Sequence, residues 1–185
     1  MSLLELLNQR KASRAISSRS IDAGMIETLM QAAQLSASCF NNQSWRFLVL
    51  TEEAALEKGR KAISAGNSWA NTAPLLFIGF SRSDLDCQLK DGRQYYLFDL
   101  GMAVQLILLQ ATELNLVARP FVGFSPSVIR DEFNLGDDFE IYVMIAVGFE
   151  GDIDALDERL QAMSRGPRTR NPLSKNFFLN EIEMQ

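Results

Sequence analysis

Histidine is absent from this 185-residue chain, and that absence removes whole classes of chemistry. Ser-His-Asp and Cys-His catalysis need an imidazole base, and most zinc sites need an imidazole ligand. No metal site is expected. Cysteine is scarce: Cys39 and Cys87 are the only two. They make no disulfide framework, which points to the cytoplasm as the natural address. Long apolar runs are also missing. The longest, residues 75–80 and 143–149, fall far short of the roughly 20 residues that a bilayer span requires. No membrane partner is expected. The opening MSLLELLNQRK sets an acid before its cations and has no long apolar stretch, unlike a secretory signal. There is no P-loop and no GxGxxG, so no Rossmann-type nucleotide site is expected. Gly123-Phe124-Ser125-Pro126-Ser127 faintly resembles a nucleophile elbow, but lacks the second glycine and any histidine partner.

What is present fits one domain, residues 1–185. Hydrophobic residues make up 47% and charged residues 22%, ordinary values for a globular chain long enough to build a core. The net charge of −5 argues against nucleic acid, whose binding requires neutralised phosphates. Against this acidic background stand two basic clusters, Arg10-Lys11-Ala12-Ser13-Arg14 and Arg168-Thr169-Arg170. Each could be a solvated surface patch. Each also has the makings of an anion cradle, because arginine binds phosphate through two parallel hydrogen bonds.

The pattern along the chain alternates helices and strands at uneven spacing. Ser2-Leu3-Leu4-Glu5 is a capping box opening a short helix. Asp22 caps a second helix reaching about residue 35. A polar loop, 36–44, leads to a strand at 46–50. Thr51 is placed to cap a helix ending near 65–66, and Pro74 precedes a buried strand at 75–80. Residues 95–116 form the longest helix, apolar nearly all round, as suits either an internal core or an interface. A strand near 117–124 follows. Ser125-Pro126 starts another helix, 139–149 is a strand, and 152–163 is the last helix. After Gly166 the tail, with Pro167 and Pro172, should be extended. Its Phe177, Phe178 and Leu179 would either dock on something or fray in solvent. The whole reads as an α+β fold, with a mixed central sheet flanked by helices.

Five segments, in order, carry a resemblance. They are the basic cluster after the first helix, Ser36-Ala37-Ser38-Cys39-Phe40-Asn41-Asn42-Gln43-Ser44-Trp45, Ala65-Gly66-Asn67-Ser68-Trp69 before Ala73-Pro74, Pro120-Phe121-Val122-Gly123-Phe124, and Arg168-Thr169-Arg170-Asn171-Pro172. Together the chain resembles the FMN-dependent nitroreductase family over nearly its whole length.

The resemblance implies a homodimer with FMN at the subunit interface, the long helix at that interface and the C-terminal tail wrapping the partner subunit. It implies that Arg10 grips the FMN phosphate, with Lys11 and Ala12 beside it, and that Arg14 lies near the flavin N1–C2=O edge. Asn67 would bond the flavin or ribityl chain. Val122 and Gly123 would run along the flavin near N5, and Arg168 and Arg170 would serve the phosphate end. Ala37, Ser38, Cys39 and Asn41 would form the loop that the other subunit places against the cofactor.

The implied activity is NAD(P)H-driven, two-electron, ping-pong reduction of nitroaromatics, quinones or similar small acceptors, with NADH or NADPH as donor. No side chain is assigned as catalytic. Other uses of such a site are an ene-type reductase, a dehydrogenase, a dehalogenase or a non-catalytic redox sensor. Four positions depart from the family pattern. Ala12 replaces a serine and loses one hydroxyl contact, which Ser13 or a backbone N–H is left to supply. Ser44 replaces a proline, which should loosen the loop. Cys39 replaces a serine and reads as a small packing residue or as a redox-active thiol, which would need a lowered pKa. Asn115 replaces a glycine, which its tolerance of the left-handed conformation makes harmless. Segment 81–96 offers Arg82, Lys90, Arg93, Tyr95 and Tyr96 as acceptor or NADPH contacts, or as solvated charges.

Overall fold

The computed structural model describes residues 2–182. Helix α1 (Leu3–Gln9) starts at Ser2, whose side chain accepts from the Glu5 N–H while Glu5 reaches back to the Ser2 N–H, completing the expected capping box. Helix α2 (Ala23–Gln34) is capped by Asp22. Strand β1 (Arg46–Leu50) precedes α3 (Glu53–Lys61). Glu52 occupies the α3 cap without a side-chain bond, so Thr51 does not cap it as expected. A 3-10 stretch, Ala65–Thr72, leads into β2 (Leu75–Ser81). Then come α4 (Tyr96–Glu113), β3 (Val117–Phe121), α5 (Pro126–Phe133) and β4 (Glu140–Gly148). Ser125 caps α5 with Pro126 in its first turn. Helix α6 (Glu158–Arg165) is capped by Asp157, later than the sequence pattern predicts.

The sheet order is β1-β2-β4-β3, and every described pairing is antiparallel. This corrects the expected mixed sheet. Helix α4 carries the chain from the end of β2 to a β3 that runs in the same direction as β2, a connection that alone would give parallel neighbours. Strand β4 then inserts between them, antiparallel to both. Proline 120 is tolerated because β3 is an edge strand of this sheet.

Side chains of β2 and β4 alternate between two cores, one on each face. Leu76, Ile78, Met144 and Ala146 pack with Leu56, Trp69, Ile129 and Leu160 under α3, α5 and α6. Leu75, Phe77, Ile145 and Val147 pack with Leu29, Leu100, Ala103 and Ile107 of α2 and α4. Asn115 adopts φ 57° just after α4, in the left-handed region that asparagine was expected to accept. No described helix is long and apolar enough to cross a membrane.

Ile145 is fully buried in the α2–α4 core. Truncation to alanine, Ile145→Ala, should lower unfolding free energy by about 2–5 kcal/mol, the transfer and cavity cost of such a deletion. Urea denaturation followed by circular dichroism measures it, and a loss below about 1 kcal/mol would contradict the packing described.

Candidate functional site

The first basic cluster is held by the end of β4. Ser17 N–H donates to the Phe149 carbonyl (2.9 Å) and Gly151 N–H to the Ala15 carbonyl (3.0 Å), with an antiparallel bridge between Ile16 and Glu150. A Cβ on Gly151 would stand 2.9 Å from Ile16 backbone, so only glycine allows this approach. Thr72 adds a bond to the Ile16 carbonyl (3.0 Å). These contacts fix the strip from which Arg10 and Arg14 extend.

A second strip lies along the loop after β3. Ser64 N–H and Ser64 Oγ both donate to the Gly123 carbonyl (3.0 and 2.7 Å), as does Asn67 Nδ2 (3.2 Å). Asn67 also accepts from Trp69 Nε1 (3.1 Å). A Cβ on Gly123 would fall 2.1 Å from Asn67 Nδ2 and 2.7 Å from Ser64 Oγ, so a larger residue would push both side chains off the Gly123 carbonyl. Val122 beside it is 79% exposed, an apolar side chain held out on the surface.

The tail reaches back to the same region. Arg168 donates to the carbonyls of Leu7, Asn8 and Arg10 (2.8–3.1 Å). It caps the C-terminal end of α1, where unsatisfied carbonyls favour a cation. Burial and the charges of Arg168 and Arg170 together push the Arg10 guanidinium below its ordinary pKa. Burial and Arg159 do the same to Arg14, against a smaller opposing effect of Asp157. None of Arg10, Arg14, Arg168 and Arg170 has a carboxylate within ion-pair distance among the described residues. Lys11 does, and its charge is neutralised by Glu150. Like charges brought together without counterions are unfavourable, and a bound anion would relieve them.

Ala37, Ser38, Cys39 and Asn41 sit elsewhere in the protomer. No described hydrogen bond or ion pair ties this loop to the basic cluster. Its backbone is strained, with Phe40, Asn41 and Gln43 at φ 48°, 59° and 49°. Several contacts hold it. Gln43 N–H donates to Ser38 Oγ (3.0 Å), Gln34 to Gln43 Oε1 (2.8 Å), and Cys39 N–H to Asp99 Oδ2 (3.0 Å). Cys39 also forms a disulfide with Cys87. The cysteine expected to be a small packing residue is instead a crosslink. Ser44 is fully buried, and its carbonyl accepts from Ser81 Oγ (2.8 Å). Ser13, in turn, is buried and bonds the Ala15 N–H within its own turn (3.2 Å), rather than offering its hydroxyl where Ala12 lacks one.

In segment 81–96 the charges are largely answered internally. Arg82 pairs with Asp84 and Asp138, and Arg93 with Asp91. Tyr96 is buried and donates to Glu140 (2.9 Å). The sequence pattern gave no sign of Cys87, Asp99 or Arg119 as parts of this architecture. Arg119 had one usable signal, a lone cation in the otherwise apolar strand Val-Ala-Arg-Pro-Phe.

The comparisons agree with this architecture. Residues 7–75 match the model described as the Nitroreductase family. A solved nitroreductase family protein from Clostridium difficile 630 is 27% identical, with a TM-score of 0.81 over 98% of this chain and 100% of the other. A solved nitroreductase in complex with FMN from Desulfovibrio desulfuricans shares the fold at 19% identity and a TM-score of 0.76, over 99% of each chain. An Archaeoglobus fulgidus protein named as an NADH dehydrogenase/NAD(P)H nitroreductase is 24% identical over 80% of this chain and 86% of its own.

Asp99 is 1% exposed, and its Oδ1 is buried with no partner among the described residues. Burial raises its pKa, the Cys39 N–H opposes that, and Asp86 adds to the rise. A raised native pKa means that the favourable contribution exists at low pH and is lost as pH climbs through that pKa. Asp99→Asn should therefore be at least as stable as the parent at pH 8, with the difference narrowing towards pH 4. Thermal melts across that range measure it, and a larger deficit for the variant at pH 8 than at pH 4 would contradict the raised pKa.

Proposed function

We propose that the chain is a member of the nitroreductase family and an FMN-dependent oxidoreductase, with residues 1–185 as one cofactor-binding domain. It takes hydride from NADH or NADPH and passes two electrons to a nitroaromatic, a quinone or a similar electron-poor small molecule. The observation that carries this reading is the convergence of Arg10, Arg168 and Arg170, none of them in an ion pair among the described residues. Such a cluster suits a phosphate monoester, which carries close to two charges near neutral pH. Relatives described as containing FMN support the choice of cofactor, and the name of the Archaeoglobus protein supports the donor.

Bound FMN would supply N5 as the hydride acceptor and then donor, one open site serving both substrates in turn. The chain's own residues bind and orient. Arg10 and Arg170 would hold the phosphate, while Arg168, committed to the end of α1, keeps Arg10 in place and adds its charge. Lys11 and Ala12 contribute main chain. Arg14 would stand at the N1–C2=O edge, where a fixed cation stabilises the negative charge of the reduced form. Asn67, locked on Gly123, would bond the flavin or ribityl chain, and Val122 would pack along the ring.

A homodimer completes the site. Residues 166–182 are exposed throughout, with Leu173, Phe177, Leu179 and Ile182 at 67–90% exposure. A stretch so apolar is better buried on a second copy. A groove of about 500 Å3, lined by Met30, Trp45, Phe47 and Phe77 among others, opens beside the loop holding Ala37, Ser38, Cys39 and Asn41. In the dimer that loop would meet the cofactor bound by the other subunit. The working place is the cytoplasm, where reduced pyridine nucleotides are made.

Arg10→Ala should weaken FMN binding by about 1.5–3 kcal/mol, the scale of a charged hydrogen bond, or roughly 10- to 150-fold in Kd, and Arg168→Ala should weaken it on the same scale by releasing Arg10 and removing a nearby charge. Fluorescence quenching of FMN titrated into apoprotein measures this, and unchanged Kd values in both variants would reduce the clusters to surface charge. Anaerobic mixing of FMN-loaded protein with NADH or NADPH should bleach the flavin band rapidly. A persistent oxidised spectrum with both nucleotides would overturn the NAD(P)H-driven reading and favour a dehydrogenase reduced by its own substrate.

A further inference from the structure

Arg119 sits on edge strand β3 and crosses to the first basic cluster. Its Nη1 donates to the Ala12 carbonyl. Its guanidinium lies over Trp69, 5.3 Å from the ring centroid, and its Nε is buried with no partner among the described residues. No described carboxylate comes within ion-pair distance. Burial, with the like charge of Arg14, pushes its pKa down to about 10. It remains a cation near neutral pH, held where a cation is poorly solvated.

Two consequences follow from this placement. Ala12 has no polar side chain to fix its own backbone, and Arg119 holds its carbonyl from outside. Trp69, beneath the guanidinium, also bonds Asn67, which bonds Gly123. Arg119 thus joins the strip bearing Arg10 and Arg14 to the strip bearing Asn67 and Gly123. Its charge also adds to that of Arg14, which Asp157 offsets only in part.

We propose that Arg119 is a positioning residue for the cofactor site, clamping the Ala12 carbonyl, and that with Arg14 it forms a two-guanidinium patch favouring the reduced, more negative cofactor over the oxidised one. The second half rests on the flavoprotein reading above. The first does not. Lysine would keep the charge, but lacks the planar fork that bonds a carbonyl while stacking on an indole.

The test uses the full-length protein with Arg119→Met and Arg119→Lys. In flavin-free protein, hydrogen exchange at the amides of residues 12–15 should quicken at least tenfold in both variants. In FMN-loaded protein, Arg119→Met should bind the reduced cofactor at least tenfold less well relative to the oxidised, lowering the two-electron potential by about 30 mV. Arg119→Lys should keep the parent potential. Parent-like exchange in both variants overturns the clamp, and a parent-like potential in Arg119→Met overturns the patch. If the methionine variant does not fold, Arg119→Lys carries the test: faster exchange with an unchanged potential supports the proposal, and unchanged exchange overturns it. If the parent protein binds no FMN, the functional reading fails while the exchange measurement still decides the clamp.

Discussion

Strands β2 and β4 are covered on both faces. Leu75, Leu76, Phe77 and Ile78 are at most 1% exposed, as are Met144, Ile145, Ala146 and Val147. Successive side chains point to opposite faces, so helices must pack above and below, and the connections gather at the ends of the sheet. The candidate site uses those ends. The chain after β4 holds the strip of Arg10 and Arg14, and the loop after β3 holds Asn67. A slip of one residue in the β2–β4 register would exchange the two cores and dismantle both supports.

Electrostatics at the site run against ordinary surface design. Elsewhere the described arginines often find acids, as Arg82 does with Asp84 and Asp138, or Arg60 with Glu53. Around Arg10 and Arg14 the chain brings cations together, and neither forms an ion pair among the described residues. A local excess of positive charge on an overall acidic chain is suited to drawing in a small anion. The loop 36–43 follows a comparable logic in backbone strain. Three left-handed residues are tolerated because Asp99, Gln34, Ser38 and the Cys39–Cys87 link hold them.

Much of this was legible in the residue order. The capping box at Ser2, the Asp22 cap, the strand at 46–50 and the Ser125-Pro126 helix start rest on local chemistry and occur where expected. So does the left-handed Asn115. The antiparallel pairing was not legible, since β4 inserts between β2 and β3 and strand partners are chosen across the whole chain. The Cys39–Cys87 link escaped for the same reason, because its two ends are 48 residues apart.

The sequence by itself determined that the chain has no imidazole chemistry, which residues are cationic, and where α1, α2 and α5 begin, because these depend on side-chain identity and contacts within a turn or two. Only the tertiary structure decided which cations stand unpaired. Lys11, read as part of the basic cradle, faces Glu150 across the fold. Arg119, the lone cation of its strand, lies over Trp69 and holds Ala12, 107 residues away. Whether a charge is answered depends on what folding brings within a few ångströms, and that distance is set by packing rather than by order along the chain.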